Sequence, residues 1–263
     1  MAGPAHAAHR GVDLAQIVHG EETERPTLVI AHGLFGSGRN WGIIARRLSE
    51  SRRVIAVDMR NHGDSPRAEP HDYPAMAADL ARTIAGLGTP VDLLGHSMGG
   101  KAAMVLALTE PDCLRRLVVA DIAPVAYGHT QMHLLHAMQH IGTAFASRVE
   151  ADAALAAEVA DPTVRSFLLQ SLDIKAGAWR LNLEVLARDM PAILGFPATE
   201  GAFAGPTLFL SGGDSQYVLA EHRATIRRLF PAAIFARIPG AGHWLHAEKP
   251  RETEAAVRAF LDS

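Results

Sequence analysis

Residues 91–100 read VDLLGHSMGG, and the chain continues as KAAMVLAL through residue 108. A short, mostly apolar stretch ends in a serine set between glycines and then gives way to an Ala- and Leu-rich helical pattern. Strand, tight turn and helix in that order form the setting in which G-x-S-x-G works as a nucleophile elbow. A turn this sharp leaves no room for side chains at Gly95 and Gly99, and it strains the serine backbone while lifting the Ser97 hydroxyl over the sheet. The helix beginning at Met98 points its positive end at the same spot, which favours developing negative charge. The plain alternative is a serine that only caps a helix; the strand before it and the helix after it argue for the elbow.

Working outward, the same alternation recurs. Residues 27–31 (TLVIA), 53–57 (RVIAV), 116–120 (RLVVA), 207–210 (TLFL) and 233–238 (AIFARI) read as strands. Helical patterns cover 41–48, 74–87, 98–108 and 252–261. Apolar strands separated by helices imply a parallel sheet covered on both faces, an α/β fold, and sites in such sheets lie at the carboxyl ends of the strands. Residues 127–196 break the rhythm with a long helical pattern and no strand. They read as a helical cap inserted between two core strands, with Pro191, Pro197 and Pro206 punctuating its exit. The expected organisation is a core of residues 1–125 and 198–263 with a cap over 126–197.

Composition narrows the class. The chain has 263 residues, 48% hydrophobic and 20% charged, as expected of a globular enzyme with a full core. A formal net charge of −3 without a basic stripe argues against a nucleic-acid partner. Cys113 is the single cysteine, read as passive, so no intrachain disulfide forms. The opening MAGPAHAAHRG lacks the apolar core of a secretory signal, and no segment approaches a membrane span. A soluble cytoplasmic protein, monomeric or homodimeric, is the expectation.

Two further turns complete the chemistry. Residues 27–31 end in His32-Gly33-Leu34-Phe35-Gly36. Acyl transfer needs two N–H donors aimed at an oxyanion; Met98, after the nucleophile, supplies one, and the His-Gly turn supplies the other from Leu34, with Phe35 as fallback. His32 and His96 read as packing around these turns. Late in the chain, Pro239-Gly240-Ala241-Gly242-His243-Trp244 puts a histidine on a glycine-rich loop after the last strand, in the order expected of the base. His246, the nearest competitor, reads as structural. The acid that orients His243 is either Asp121, ending RLVVAD, or Asp214, in the loop LSGGDS. Both sit at strand carboxyl ends, and the residues alone leave them even.

The blocks HGLFGSGRNW, DMRNHGDSP, GHSMGGKAAM, VVADIAPV, GGDSQYV and GAGHWLHAEKP resemble the α/β hydrolases of the YbfF-type esterase, mitochondrial abhydrolase and ethanol acetyltransferase group. The resemblance runs from residue 27 to the end and is weakest in the cap. It implies a mostly parallel eight-stranded sheet flanked by helices with an inserted helical cap. It also implies Asp121 as the acid, with Asp214 second. The implied activity is hydrolysis of short-to-medium acyl esters through an acyl-enzyme, with acyl-CoA thioesters or transfer to alcohols as variants, and no cofactor.

Other signals carry less. His129, His133, His136 and His140 fall at helical spacing, but no carboxylate or cysteine joins them at ligand spacing, so they read as a polar face and no metal site is assigned. Phe35, Leu134, Met138, Phe167, Trp179 and Trp244 are candidates for an acyl pocket. Residues 61–65 (NHGDS) read as packing beside the site, and Lys101 as a helix-surface or salt-bridge residue. Dehalogenases and epoxide hydrolases place Asp at the elbow, where this chain has Ser97. A C–C bond hydrolase or haloperoxidase-like enzyme on this scaffold is the enzymatic rival, and a ligand receptor with a retained triad is the rival of another class.

Overall fold

Seven strands form one twisted sheet in the computed structural model, which describes residues 10–128 and 130–263. The leader reading of the first residues and His129 lie outside the described residues, in whole for His129 and through residue 9 for the leader. The strands are β1 (Gln16–His19), β2 (Leu28–Ala31), β3 (Val54–Val57), β4 (Val91–His96), β5 (Leu114–Ala120), β8 (Thr207–Gly212) and β9 (Ala233–Ile238). Their spatial order is β1-β3-β2-β4-β5-β8-β9, and only β1 runs antiparallel. β2, β3 and β4 are buried on both faces, which explains their continuous Val, Ile and Leu content.

The expected eighth strand is absent from the described residues. The chain ahead of β1 is held by side chains instead of a ladder: Val12 N–H donates to Asp79 Oδ1 (2.7 Å) and Ala15 N–H to Ser65 Oγ (2.8 Å). These bonds use donors that a further edge strand would have spent on pairing.

Helices α1 (Gly42–Leu48), α2 (Tyr73–Ala85) and α3 (Met98–Thr109) follow β2, β3 and β4. Asp72 caps α2 through Ala75 N–H at 2.9 Å. Helix α3 is buried from Met98 to Ala107, packed between α2 and the β4–β5 face, as its uniformly apolar sequence requires. Between β5 and β8 come α4 (Met132–Ile141), α5 (Arg148–Leu155), α6 (Pro162–Leu169), a two-residue hairpin of β6 (Leu172–Asp173) and β7 (Ala178–Trp179), then α7 (Leu183–Arg188) and α8 (Met190–Leu194). The hairpin corrects the all-helical reading of this stretch. Strands of two residues are too short to leave an alternating pattern in sequence. Helices α9 (Arg223–Leu229), α10 (Leu245–Glu248) and α11 (Pro250–Asp262) complete the chain. No helix among the described residues is long and apolar enough to cross a membrane.

The order places a topological switch between β2 and β4: the chain leaves β2 outward to β3 and returns on the other side as β4. A crevice opens at such a point, beyond the strands' carboxyl ends. At its floor the backbones of α3 and the end of β2 meet closely. A methyl group at Gly99 would stand 2.4 Å from Ala31 O and 2.5 Å from His32 O, and one at Gly95 would stand 2.3 Å from Gly99 O. Gly99→Ala must therefore push α3 away from β2. Its expected cost is about 3 kcal/mol, the upper part of the usual overpacking range. Urea denaturation checks this, and an unchanged midpoint would refute the close contact.

Candidate active site

Among the described residues, four non-glycine residues have left-handed backbone, each just beyond a parallel strand of the sheet: Phe35 (φ 63) after β2, Asn61 (φ 65) after β3, Ser97 (φ 51) after β4 and Asp121 (φ 52) after β5. Such conformations cost of order 1–3 kcal/mol each and persist only where the surroundings enforce them. At the elbow, Ser97 N–H donates to Ala120 O (3.0 Å) while Lys101 N–H already closes the first helical turn on Ser97 O (3.0 Å). Serine is thus pinned between sheet and helix. Asp121 is pinned in the same way, its N–H donating to Leu210 O at 2.8 Å.

His243 arrives from the loop after β9. Its Nε2 lies 3.0 Å from Ser97 Oγ and its Nδ1 2.7 Å from Asp121 Oδ2. Asp121 is fully buried, and its carboxylate also accepts Gly212 N–H on Oδ1 (2.9 Å) and the Ser215 hydroxyl on Oδ2 (2.5 Å). Three donors hold the carboxylate and fix its direction. Asp214 stands elsewhere: it is exposed, and its N–H bonds Ala241 O at 2.9 Å. The structure brings Ser97, His243 and Asp121 together and leaves Asp214 out. Ser215 serves Asp121 as a donor. The ring of Tyr217 stacks on the His243 imidazole at 3.9 Å and 22°. Sequence reasoning missed Tyr217; its one signal was an aromatic two residues beyond Ser215 at a strand's carboxyl end.

The two oxyanion candidates from the His-Gly turn separate cleanly. Phe35 N–H donates to His62 Nε2 at 3.2 Å, so it is committed. Leu34 and Met98 both line the cavity beside Ser97.

Buried histidines hold this arrangement. His62 accepts from Phe35, so its proton is on Nδ1, which donates to Arg60 O (2.9 Å). His32 accepts Met59 N–H on Nε2 (2.9 Å) and donates from Nδ1 to Gly33 O (2.7 Å). His96 Nε2–H donates to the carbonyl of His243 at 2.9 Å. His71 Nδ1 accepts from the Asn61 amide (3.1 Å) and Nε2–H reaches Met98 Sδ (3.3 Å). His246 stacks flat on Trp41, centroids 4.5 Å apart. These rings do support the turns, as do residues of the 61–65 loop. Burial opposes their charged forms. It pulls His32 down to about 4 and His62 and His246 to about 3, and it holds His71 and His96 well below the ordinary histidine range.

The cavity over Ser97 is lined by Phe35, Leu134, Phe167 and Trp244 among the expected pocket residues. Met138 and Trp179 do not line it. Met138 sits one turn beyond Leu134 along α4, and Trp179 is in β7; both are buried in the main apolar core. Lys101 corrects its surface reading: it is only 1% exposed, lines the cavity, and its ammonium meets backbone carbonyls. A lysine one turn along a helix that is buried all round has no solvent to reach. His133 and His136 are exposed on α4, and His140 Nδ1 meets Glu158 Oε1 at 2.7 Å. The Cys113 thiol, pushed up to about 11 chiefly by burial, donates to Glu110 O at 3.0 Å.

A glycine-bounded serine at the switch point of a sheet in this order defines the class as α/β hydrolase. The chain belongs to the alpha/beta hydrolase fold family, whose profile matches residues 26–250. It is 41% identical over 279 residues to the sn-1-specific diacylglycerol lipase ABHD11 of Mus musculus, covering 98% of this chain and 88% of that one. It is 40% identical over 252 residues to Esterase YbfF of Escherichia coli, covering 94% and 97%. Among solved structures, a marine microorganism esterase superposes with a TM-score of 0.90 at 34% identity, over 95% of this chain and 100% of that one. The protein sits among the esterases and lipases of the family.

The five buried histidines fix a pH dependence. Their folded pKa values lie below the unfolded value, so the unfolded chain binds more protons in acid. The stability they protect is present above about pH 6.5 and is lost as the pH falls towards 3, through the lowered values cited above. The expected result is a melting temperature that declines steadily from pH 7 to pH 5. Thermal melts in a buffer series read it directly, and a flat profile across that window would contradict neutral burial of these rings.

Proposed function

We propose that the protein is a serine carboxylic-ester hydrolase in which Ser97 attacks the ester carbonyl carbon. The observation that carries this reading is the single imidazole of His243 lying within hydrogen-bond distance of Ser97 Oγ and Asp121 Oδ2 at once. His243 Nε2 takes the Ser97 proton as the Oγ–carbon bond forms. The carbonyl oxygen becomes an oxyanion and accepts from the N–H groups of Leu34 and Met98, the second at the positive end of α3. The intermediate collapses to an acyl-enzyme, and His243 passes its proton to the departing alcohol. Water, deprotonated by His243, then attacks the acyl carbon and regenerates Ser97. Asp121 keeps the His243 proton on Nδ1 and offsets the charge of the imidazolium. The Tyr217 ring, stacked on that imidazole, holds its plane and offers its π face to the cation.

The acyl group occupies the cavity beside Phe35, Leu134 and Phe167. Its largely apolar lining suits short-to-medium acyl chains, on oxygen esters first and acyl-CoA thioesters second. Residues 126–197 act as the cap. Contacts that tie this stretch to the site loops support the assignment: Ser171 Oγ–H donates to Phe35 O (3.0 Å), and Asn40 Nδ2–H donates to Gln170 Oε1 (2.6 Å).

Hydrolysis of p-nitrophenyl esters from acetate to palmitate tests the reading. Ser97→Ala is expected to lower kcat by up to about 10⁶. Asp121→Asn should lower it by about 10⁴, through the wrong histidine tautomer, while Asp214→Asn stays near wild type. Esterase activity surviving in Ser97→Ala, or a loss confined to Asp214→Asn, would overturn the assignment.

A further inference from the structure

Three successive carbonyls at the end of α8 are gripped from the core. Ile193 O accepts the Tyr73 hydroxyl at 2.5 Å. Leu194 O accepts Lys101 Nζ at 2.9 Å and Tyr127 N–H at 3.1 Å. Gly195 O accepts Lys101 Nζ at 2.6 Å. The last carbonyls of a helix lack partners within it and carry partial negative charge, so a cation is the natural group to meet them. The Lys101 ammonium also faces the rings of Tyr127 (4.8 Å) and Tyr73 (5.5 Å). Its stem leaves α3 one turn after Ser97. Two of the three gripped residues, Ile193 and Leu194, line the cavity over Ser97. One lysine thus ties the nucleophile's helix to a wall of the acyl pocket.

We propose that Lys101, with Tyr73, is a specificity-determining clamp that holds Ile193 and Leu194 against the acyl pocket and so limits the length of acyl chain accepted. The inference rests on the ester-hydrolase reading and adds to it a residue that does not touch the reacting atoms. Packing favours a clamp over a general structural role. Residues 93–94 positions away in sequence are joined by two bonds from one ammonium, and no carboxylate pairs with Lys101 among the described ion pairs. The groups that face the ammonium are the Leu194 and Gly195 carbonyls and the two tyrosine rings. Burial pushes both phenols up, so they stay neutral, and it draws the lysine down to about 7. A neutral amine donates more weakly than an ammonium, so the clamp loosens as the pH rises through that value.

The test compares wild type with Lys101→Met, which keeps the stem and removes the donors, and with Tyr73→Phe, which frees Ile193 O alone. Each is assayed on p-nitrophenyl butanoate and dodecanoate at pH 6 and pH 9. The dodecanoate-to-butanoate ratio of kcat/KM is expected to rise about tenfold in Lys101→Met at pH 6, carried by KM of the long ester, the size of a modest pocket-shape discrimination. Wild type should approach that ratio at pH 9, whereas Lys101→Met should no longer respond to pH. Hydrogen exchange of residues 190–196 should quicken in both variants independently of turnover. An unchanged ratio together with unchanged exchange overturns the clamp. If Lys101→Met fails to fold, Tyr73→Phe decides by the same two readings. Absence of ester turnover in wild type would count against the hydrolase reading, and the exchange result would still judge the clamp.

Discussion

The contact of α3 with the end of β2, backbone against backbone at Gly99, governs everything above it. A methyl group there would stand within 2.5 Å of two carbonyl oxygens. Only because that approach is bare can the turn after β4 fold back sharply enough to force Ser97 to φ 51 and set its hydroxyl above the sheet. The same approach carries the helix N-terminus next to the turn after β2. The two proposed oxyanion donors, Leu34 and Met98, come from segments that meet only at this switch point. Strain is not confined to serine. It repeats at Phe35, Asn61 and Asp121, so four neighbouring strand ends spend conformational energy in the turns around the site.

The energy that keeps those turns strained comes from below and beside them. Strands β2, β3, β4 and β8 are buried on both faces, and five neutral histidines thread the loops above. Each spends its ring nitrogens or its ring face on a site element: His62 on Phe35, His32 on Met59 and Gly33, His96 on the His243 carbonyl, His71 on Met98, and His246 on Trp41. Imidazole suits this task because it can donate and accept at once while uncharged. A carboxylate or ammonium in the same places would bring a buried charge into the field of the His243–Asp121 pair. The protein thus holds many histidines near its candidate catalytic centre, of which only His243 bridges serine and acid.

The elbow, the His-Gly turn and the late glycine-histidine loop could each be found along the chain, because each depends on local backbone geometry that only particular residue types satisfy. The helix and strand positions were legible for the same reason, through the period of apolar residues. Strands of two residues leave no such period, so the β6–β7 hairpin was invisible. The antiparallel strand Gln16–His19 is four residues long at an exposed edge and carries too little apolar pattern to stand out. Lys101 was misjudged because a lysine's ordinary preference is for solvent, and nothing local says that every face of its helix is covered.

Local residue patterns therefore specify the α/β class, the strand–turn–helix setting of Ser97 and the candidate set of His243, Asp121 and Asp214. Tertiary structure alone decided which carboxylate stands 2.7 Å from His243, that Phe35 N–H is taken by His62, and that Lys101 reaches across 93 residues to Leu194. The division has a physical reason. Turns and periodicities are set by interactions within a few residues, and the chain writes them where they occur. Which side chain meets which across the sheet depends on the order in which strands pair, a consequence of burying the whole core at once that no single segment encodes.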